Sequence, residues 1–250
     1  MSNVSRWNES RKREQVCLDL LHHAKRSRHK RNNRMMTSMR LVSMFVAAIV
    51  SLAFFEQSFG IGQQVSRVVL EDFRVKGENG LPPGWKAQRS EEKAKESYSV
   101  RIEDGAAFLS AKGADQRVFK KIPWDPKASP VITWRWRLRS APAGVDPIAA
   151  VYVALDTDLM LIPVLTKYVW SATKPEGTII EGGIFTASEI VIQSGTQPIG
   201  EWVEERVNAY EDFKRIHKHE PAEKAWGISL LGGPGVEVDF GPIIVMSPRD

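Results

Sequence analysis

The stretch Val131-Ile-Thr-Trp-Arg-Trp-Arg-Leu-Arg139 alternates without a break. Ile132, Trp134, Trp136 and Leu138 fall on one side of an extended chain, and Thr133, Arg135, Arg137 and Arg139 on the other. A period of two over this length specifies a β-strand with one face against a core. Similar short runs lie on either side of it. Val68 to Val75, Tyr98 to Ile102, Ala107 to Ala111 and Arg117 to Ile122 precede it. Ala149 to Asp156, Val164 to Ser171, Thr178 to Ile180, Glu189 to Gln193, Trp226 to Leu231 and Val236 to Met246 follow. Gly, Pro and Asp punctuate the runs, and Glu103-Asp104-Gly105 makes a hairpin turn. Strands at this density with almost no helix between them predict an all-β fold, an antiparallel two-sheet β-sandwich that is jelly-roll-like. No repeat or linker interrupts it, so residues 61–250 read as a single domain.

One short helix is expected within the β pattern. Asn208 is a good N-cap, Glu211 occupies the third helical position of a capping box, and Pro221 bars continuation. Two to three turns do not hold in isolation, so this helix must dock on the sandwich.

Residues 1–60 have another character. Met1 to Arg40 holds eleven Lys or Arg against three acids, whereas Ile61 to Asp250 holds twenty-four against twenty-six. The sequence pI of about 9.3 therefore describes the leader. A basic nucleic-acid-binding domain is excluded, and no nucleic-acid partner is expected. Leu41 to Phe55 is an uncharged, mostly apolar run. As a helix it covers ~22 Å, less than the ~30 Å of a bilayer core. It fits the apolar region of a secretory signal better, with Arg34 and Arg40 before it and Ser58-Phe59-Gly60 as a cleavage site. Met35, Met36 and Met39 offer starts that give a leader of ordinary length, which makes residues 1–34 an upstream extension. Export to the periplasm or the cell exterior is the expectation. The alternative is an uncleaved inner-membrane anchor with the domain outside the cytoplasm, in which case membrane contact runs through this segment alone. Cys17, the only cysteine, lies in the leader, so the domain must be stable through its core without disulfides.

Several segments carry a resemblance. Leu81-Pro-Pro-Gly-Trp85, Trp134-Arg-Trp-Arg137, Lys167-Tyr-Val-Trp-Ser171, Gly200-Glu-Trp-Val203 and Arg206-Val-Asn-Ala-Tyr-Glu-Asp-Phe213 follow one another in this order. Together they resemble the exported bacterial family called domain of unknown function 3047, from about Glu71 to the C-terminus. The resemblance implies a secreted or periplasmic protein with no assigned activity. In that family an Asp/Asn-rich loop often follows the strand written here Trp226 to Leu231. This chain has Gly232-Gly-Pro-Gly235 instead, so a ligand or ion held there does not carry over.

Three arginines on alternate positions repel one another unless they are paired. Asp156, Tyr152 and Tyr168 are the partners to examine. Left unpaired, Arg135, Arg137 and Arg139 form a cationic face for an anionic polymer, with Tyr168 and Trp170 as a small aromatic platform beside them. Seven tryptophans lie beyond the leader. Their places in the strands make most of them core, with Trp85 and Trp124 the expected exceptions. Metal chemistry is poorly supplied. His217 and His219, two apart at a helix end, do not share a helical face, and zinc of the usual kinds lacks ligands. No cofactor is expected beyond a structural calcium, for which Glu71, Asp72 and Asp239 converge if the first and last strands pair. No nucleophile elbow, catalytic cysteine or phosphate loop is present. No catalytic residue is assigned, and Glu181 and Glu189 are the best carboxylates for glycan cleavage. The expected function is non-catalytic binding of a carbohydrate or cell-envelope polymer. A periplasmic protein-interaction or structural module is the alternative, and a glycan-cleaving enzyme is the third reading.

Overall fold

The computed structural model describes residues 66–248 except 79, 159–161 and 184–185. The leader over 1–60, with its apolar run and Cys17, lies outside the described residues. In chain order the elements are β1 (Arg67–Glu71), β2 (Trp85–Ala87), α1 (Glu91–Ser97), β3 (Tyr98–Glu103), β4 (Ala106–Lys112), β5 (Val118–Lys121), β6 (Val131–Ser140) and β7 (Ala149–Asp158). They continue with β8 (Ile162–Ser171), β9 (Ile179–Ile180), β10 (Ser188–Ser194), β11 (Val203–Asn208), α2 (Ala209–His217), β12 (Gly227–Gly232), β13 (Glu237–Phe240) and β14 (Ile243–Met246).

The strands form two seven-stranded sheets, one ordered β1-β14-β6-β13-β4-β3 with β11 on the other edge of β6, the other ordered β2-β5-β12-β7-β8-β10-β9. This is the expected β-sandwich, with one departure from antiparallel pairing. β8 and β10 run parallel, because the chain makes an excursion through β9 before returning to the sheet.

β6 organises the first sheet as its alternation requires. Ile132, Trp134, Trp136 and Leu138 are all buried in the common core. Trp134 and Trp136 meet edge-to-face at 5.6 Å, Trp134 lies 5.7 Å from Tyr168, and Trp136 lies 5.6 Å from Trp170. This aromatic row joins the two sheets, each ring contributing about 1.5–3 kcal/mol by burial.

The expected last strand, Val236 to Met246, is two strands that share one edge of β6. Gly241-Pro242 parts them, since Pro242 has no amide to donate. A side chain at Gly241 would place its Cβ 2.5 Å from Arg135 Cγ, so the close approach requires glycine.

Three elements were not legible in the pattern. β2 is only three residues long. α1 buries Ala94 alone and relies on Ser90, whose side chain accepts from Lys93 N. β11 turns Val203, Glu205 and Val207 toward the core, and a carboxylate on the inner face hides its alternation. α2 matches the expected helix. Asn208 Oδ1 accepts from Glu211 N at 3.1 Å, and Phe213 and Ile216 are buried.

Candidate binding groove

The arginines of β6 occupy the outer face of the first sheet, but they are not the cationic face expected from the sequence. Asp239, 1% exposed on neighbouring β13, accepts from Arg137 at 3.0 and 2.9 Å and from Arg139 at 2.8 Å. Glu103 accepts from both as well, and the Arg137 hydrogen bond holds its carboxyl below the ordinary value. Trp202 lies across the ladder, its ring centroid 4.4 Å from the guanidinium carbons of both Arg135 and Arg137. Of these three arginines only Arg135 has no acid partner among the described residues, and it has the indole. The partners are Asp239, Glu103 and Trp202, not Asp156, Tyr152 or Tyr168, because β13 lies beside β6 with β4 and β3 beyond it, whereas β7 and β8 belong to the other sheet.

Tyr168 and Trp170 do share a face, but it is the inner one, and both are 0% exposed. The Tyr168 hydroxyl donates to Asp212 of α2 at 3.0 Å, and the Trp170 indole donates to the Gly195 carbonyl at 2.7 Å. They form no platform beside the arginines. Trp85 and Trp124 are buried too. Among the described residues the half-exposed indoles are Trp202 and Trp226.

The expected calcium ligands do not converge. Glu71 is buried and accepts from Trp85 Nε1 at 2.7 Å, Phe73 N at 2.8 Å and Lys120 Nζ at 2.8 Å. Asp72 accepts from Arg74 N, and Asp239 is held by arginines. β1 pairs with β14 rather than with β13, which separates Glu71 from Asp239. Among the described residues no cluster of His, Cys, Asp or Glu could hold a metal ion.

The concave surface lies on the outer face of the second sheet. The register aligns Ser229 of β12, Tyr152 of β7, Lys167 of β8 and Glu189 of β10 in one row. Ala150 and Ala154 flank Tyr152 on the same face, and their small side chains leave the floor low. Thr186 and Ala187, between β9 and β10, rise as one wall. Two adjoining cavities result, of about 550 and 390 Å3, sharing Arg117, Leu165, Thr186 and Ala187. A third, of about 270 Å3, meets the first at Asp156 and Thr157 and ends on Trp226.

Trp226 reaches this face through a local break in alternation. Strict alternation would put it inside with Ile228 and Leu230. Gly227 interrupts the pattern where β12 crosses β5, and a Cβ there would sit 2.2 Å from the Lys120 carbonyl oxygen. The indole accordingly packs 5.8 Å from Phe119 with the Lys121 ammonium 5.5 Å above it. The end of α2 completes the rim. Lys218 in the left-handed conformation turns the chain back, so His217 and His219 both contact Phe213 and line the cavity of about 550 Å3. The helical spacing that separates them applies only within the helix.

The groove mixes polar and apolar lining and is nearly balanced in charge. Lys167 and Glu189 pair at 2.8 Å, so Glu189, one of the two carboxylates considered for glycan cleavage, is neutralised by its neighbour. His219 lies 3.7 Å from Asp156. Burial lowers the His217 imidazole below its usual value, with His219 adding to the effect. The Arg117 guanidinium stands 5.1 Å over the Tyr152 ring, and burial raises the phenol of Tyr152.

A family model described as a protein of unknown function (DUF3047) matches residues 83–231. The chain belongs to this family. No curated protein sequence matches it. Among solved structures, the DUF3047 chain is similar to the K3 cleaved adhesin domain of Lys-gingipain from Porphyromonas gingivalis, at 15% identity and TM-score 0.39, over 73% of this chain and 100% of that one. It is similar to a carbohydrate-binding module with specific mannan recognition, at 9% identity and TM-score 0.37, over 74% and 99%. It is also similar to endoglucanase 3 of Trichoderma harzianum, at 9% identity and TM-score 0.41, over 74% and 98%. The matched family span contains every groove residue from Arg117 to Trp226 and excludes Glu71 and Asp239.

The DUF3047 chain also buries a carboxylate away from the groove. Glu205 on β11 accepts from Trp136 Nε1 at 3.1 Å and has no cation partner among the described residues. Burial pushes its carboxyl up to about 7, against the Trp136 hydrogen bond, from an ordinary value of 4.5. Between those values the folded chain keeps a proton that the unfolded chain releases, so this group's contribution to stability falls as pH rises from about 4.5 through 7. The full shift corresponds to ~3 kcal/mol, which solvent screening of a half-buried group reduces to about 1–2 kcal/mol. Glu205→Gln is therefore expected to raise stability by that amount at pH 8 and to change little at pH 4.5. Denaturant titrations of both proteins at the two pH values check it, and an equal change at both would refute the assignment.

Proposed function

We propose that this chain is a non-catalytic binding protein for a polysaccharide, held in the groove on the outer face of the second sheet. The observation that carries this reading is the line of three adjoining cavities with a half-exposed indole at one end and polar side chains set among apolar ones along its length. Cavities of 300–1,000 Å3 are the usual size for small-ligand sites, and a continuous series of them accommodates several linked units. Sugar rings present an apolar face that stacks on an indole such as Trp226. Their hydroxyls both donate and accept, which matches a wall of mixed Asp, Gln, Thr, Lys and Arg side chains better than a lipid or a flat protein surface would. Transfer of the domain across a membrane, as the apolar run Leu41 to Phe55 fits, would bring it to where such polymers lie.

A glycan array probed with the full chain, scored for both retention and product release, tests this reading. Retention without new reducing ends is expected, with affinity reduced about tenfold or more in Trp226→Ala through lost burial of the ring. A blank array, or binding unchanged by Trp226→Ala, would overturn the groove assignment. Release of shortened products would replace binding with cleavage.

A further inference from the structure

Arg117, immediately before β5, lines both of the larger cavities and so stands at their junction. Its side chain is half-buried and rests on the Tyr152 ring. Among the described residues the guanidinium has no ion pair and donates no hydrogen bond, while Lys167, the other cation of the floor, is paired with Glu189. Burial lowers the guanidinium below its usual value, and the Tyr152 phenol beneath it offsets only part of that. Asp156 and Asp158 line the cavity on one side of Arg117, and Asp115 lines the cavity on the other.

Resting on the groove reading above, we propose that Arg117 selects a glycan bearing an isolated anionic group, a carboxylate or a sulfate ester, between neutral sugars. A guanidinium presents its donors as a planar fork that fits two oxygens of such a group. The low dielectric of a half-buried site strengthens the contact. A polymer with an anion on every unit would set a neighbouring charge against Asp156, whereas a neutral unit there meets that carboxylate with hydroxyls.

The test measures binding of the full chain to four polymers. The first alternates glucuronate with a neutral sugar, the second is its carboxyl-reduced form, the third is that form carrying sulfate esters, and the fourth is homopolymeric polygalacturonate. The first or the third should bind roughly 10–100 times more tightly than the reduced form, and which of the two does so identifies the anion. Polygalacturonate should bind no better than the reduced form. Arg117→Ala should erase the preference with an unchanged melting midpoint, and Arg117→Lys, which keeps the charge without the fork, should fall between. Equal binding of the first three polymers, or equal weakening of all by Arg117→Ala, would overturn the selectivity and leave the groove reading standing. Retention of none of the four overturns the selectivity alone if array glycans still bind, and both proposals if the array is blank.

Discussion

Asp239→Ala is expected to lower folding stability by about 3–5 kcal/mol, because it removes one partner of a buried ion pair and leaves the other charged. Arg137 has a side chain 7% exposed, and Asp239 is the acid it shares with Arg139. Glu103, at the solvent edge, cannot replace a carboxylate beneath the guanidinium. The loss is the penalty of a buried guanidinium left with only the solvent-edge Glu103 rather than the net worth of the pair. The paired variant Arg137→Met with Asp239→Leu should therefore recover most of it. Chemical denaturation of the three proteins measures both effects. A single variant as stable as the parent would show that the network is ornamental to the fold.

A loss of similar size is expected for Glu71→Ala. The Glu71 carboxylate joins β1 to β2 and β5 by accepting from the buried Trp85 indole, the Phe73 amide and Lys120. Alanine strands all three donors, two of them buried, at about 1–3 kcal/mol each for unmade hydrogen bonds. For a domain of this size such a loss lowers the melting midpoint by on the order of 10 °C. Glu71→Gln keeps an acceptor and should lose less. Chelator should leave the parent's midpoint unchanged, since these oxygens are already occupied by protein donors. A chelator-sensitive midpoint would return Glu71 to the role of an ion ligand.

The alternation of Val131 to Arg139 was enough to place the strand, its buried face and the tryptophans on it, because polarity there differs sharply between the two sides. β8 illustrates the opposite case. Val164, Thr166, Tyr168 and Trp170 face the core, yet Leu165 and Val169 on the other side, packed with Ala187, are as apolar as Val164. Alternation therefore says that Tyr168 and Trp170 lie together without saying which way they point. The arginine ladder was legible as a ladder, but its partners come from strands about thirty and a hundred residues away in sequence. Only sheet order determines whether Asp239 or Asp156 lies beside it. The groove left a weak signal of its own. Ala150, Tyr152 and Ala154 alternate with large apolar residues, and small side chains around one tyrosine are what lower a sheet surface. Trp226 carried no such signal, since Gly227 reverses the side it would otherwise take.

Amide chemical-shift mapping of the full chain, titrated with a glycan retained on the array, tests most directly where the ligand lies. Perturbations are expected to cluster at Arg117, Tyr152, Leu165, Lys167, Thr186 and Glu189, together with the Trp226 indole. Perturbations gathered on Arg135, Arg137 and Arg139, or confined to an edge strand, would contradict the assignment of the binding surface to the second sheet.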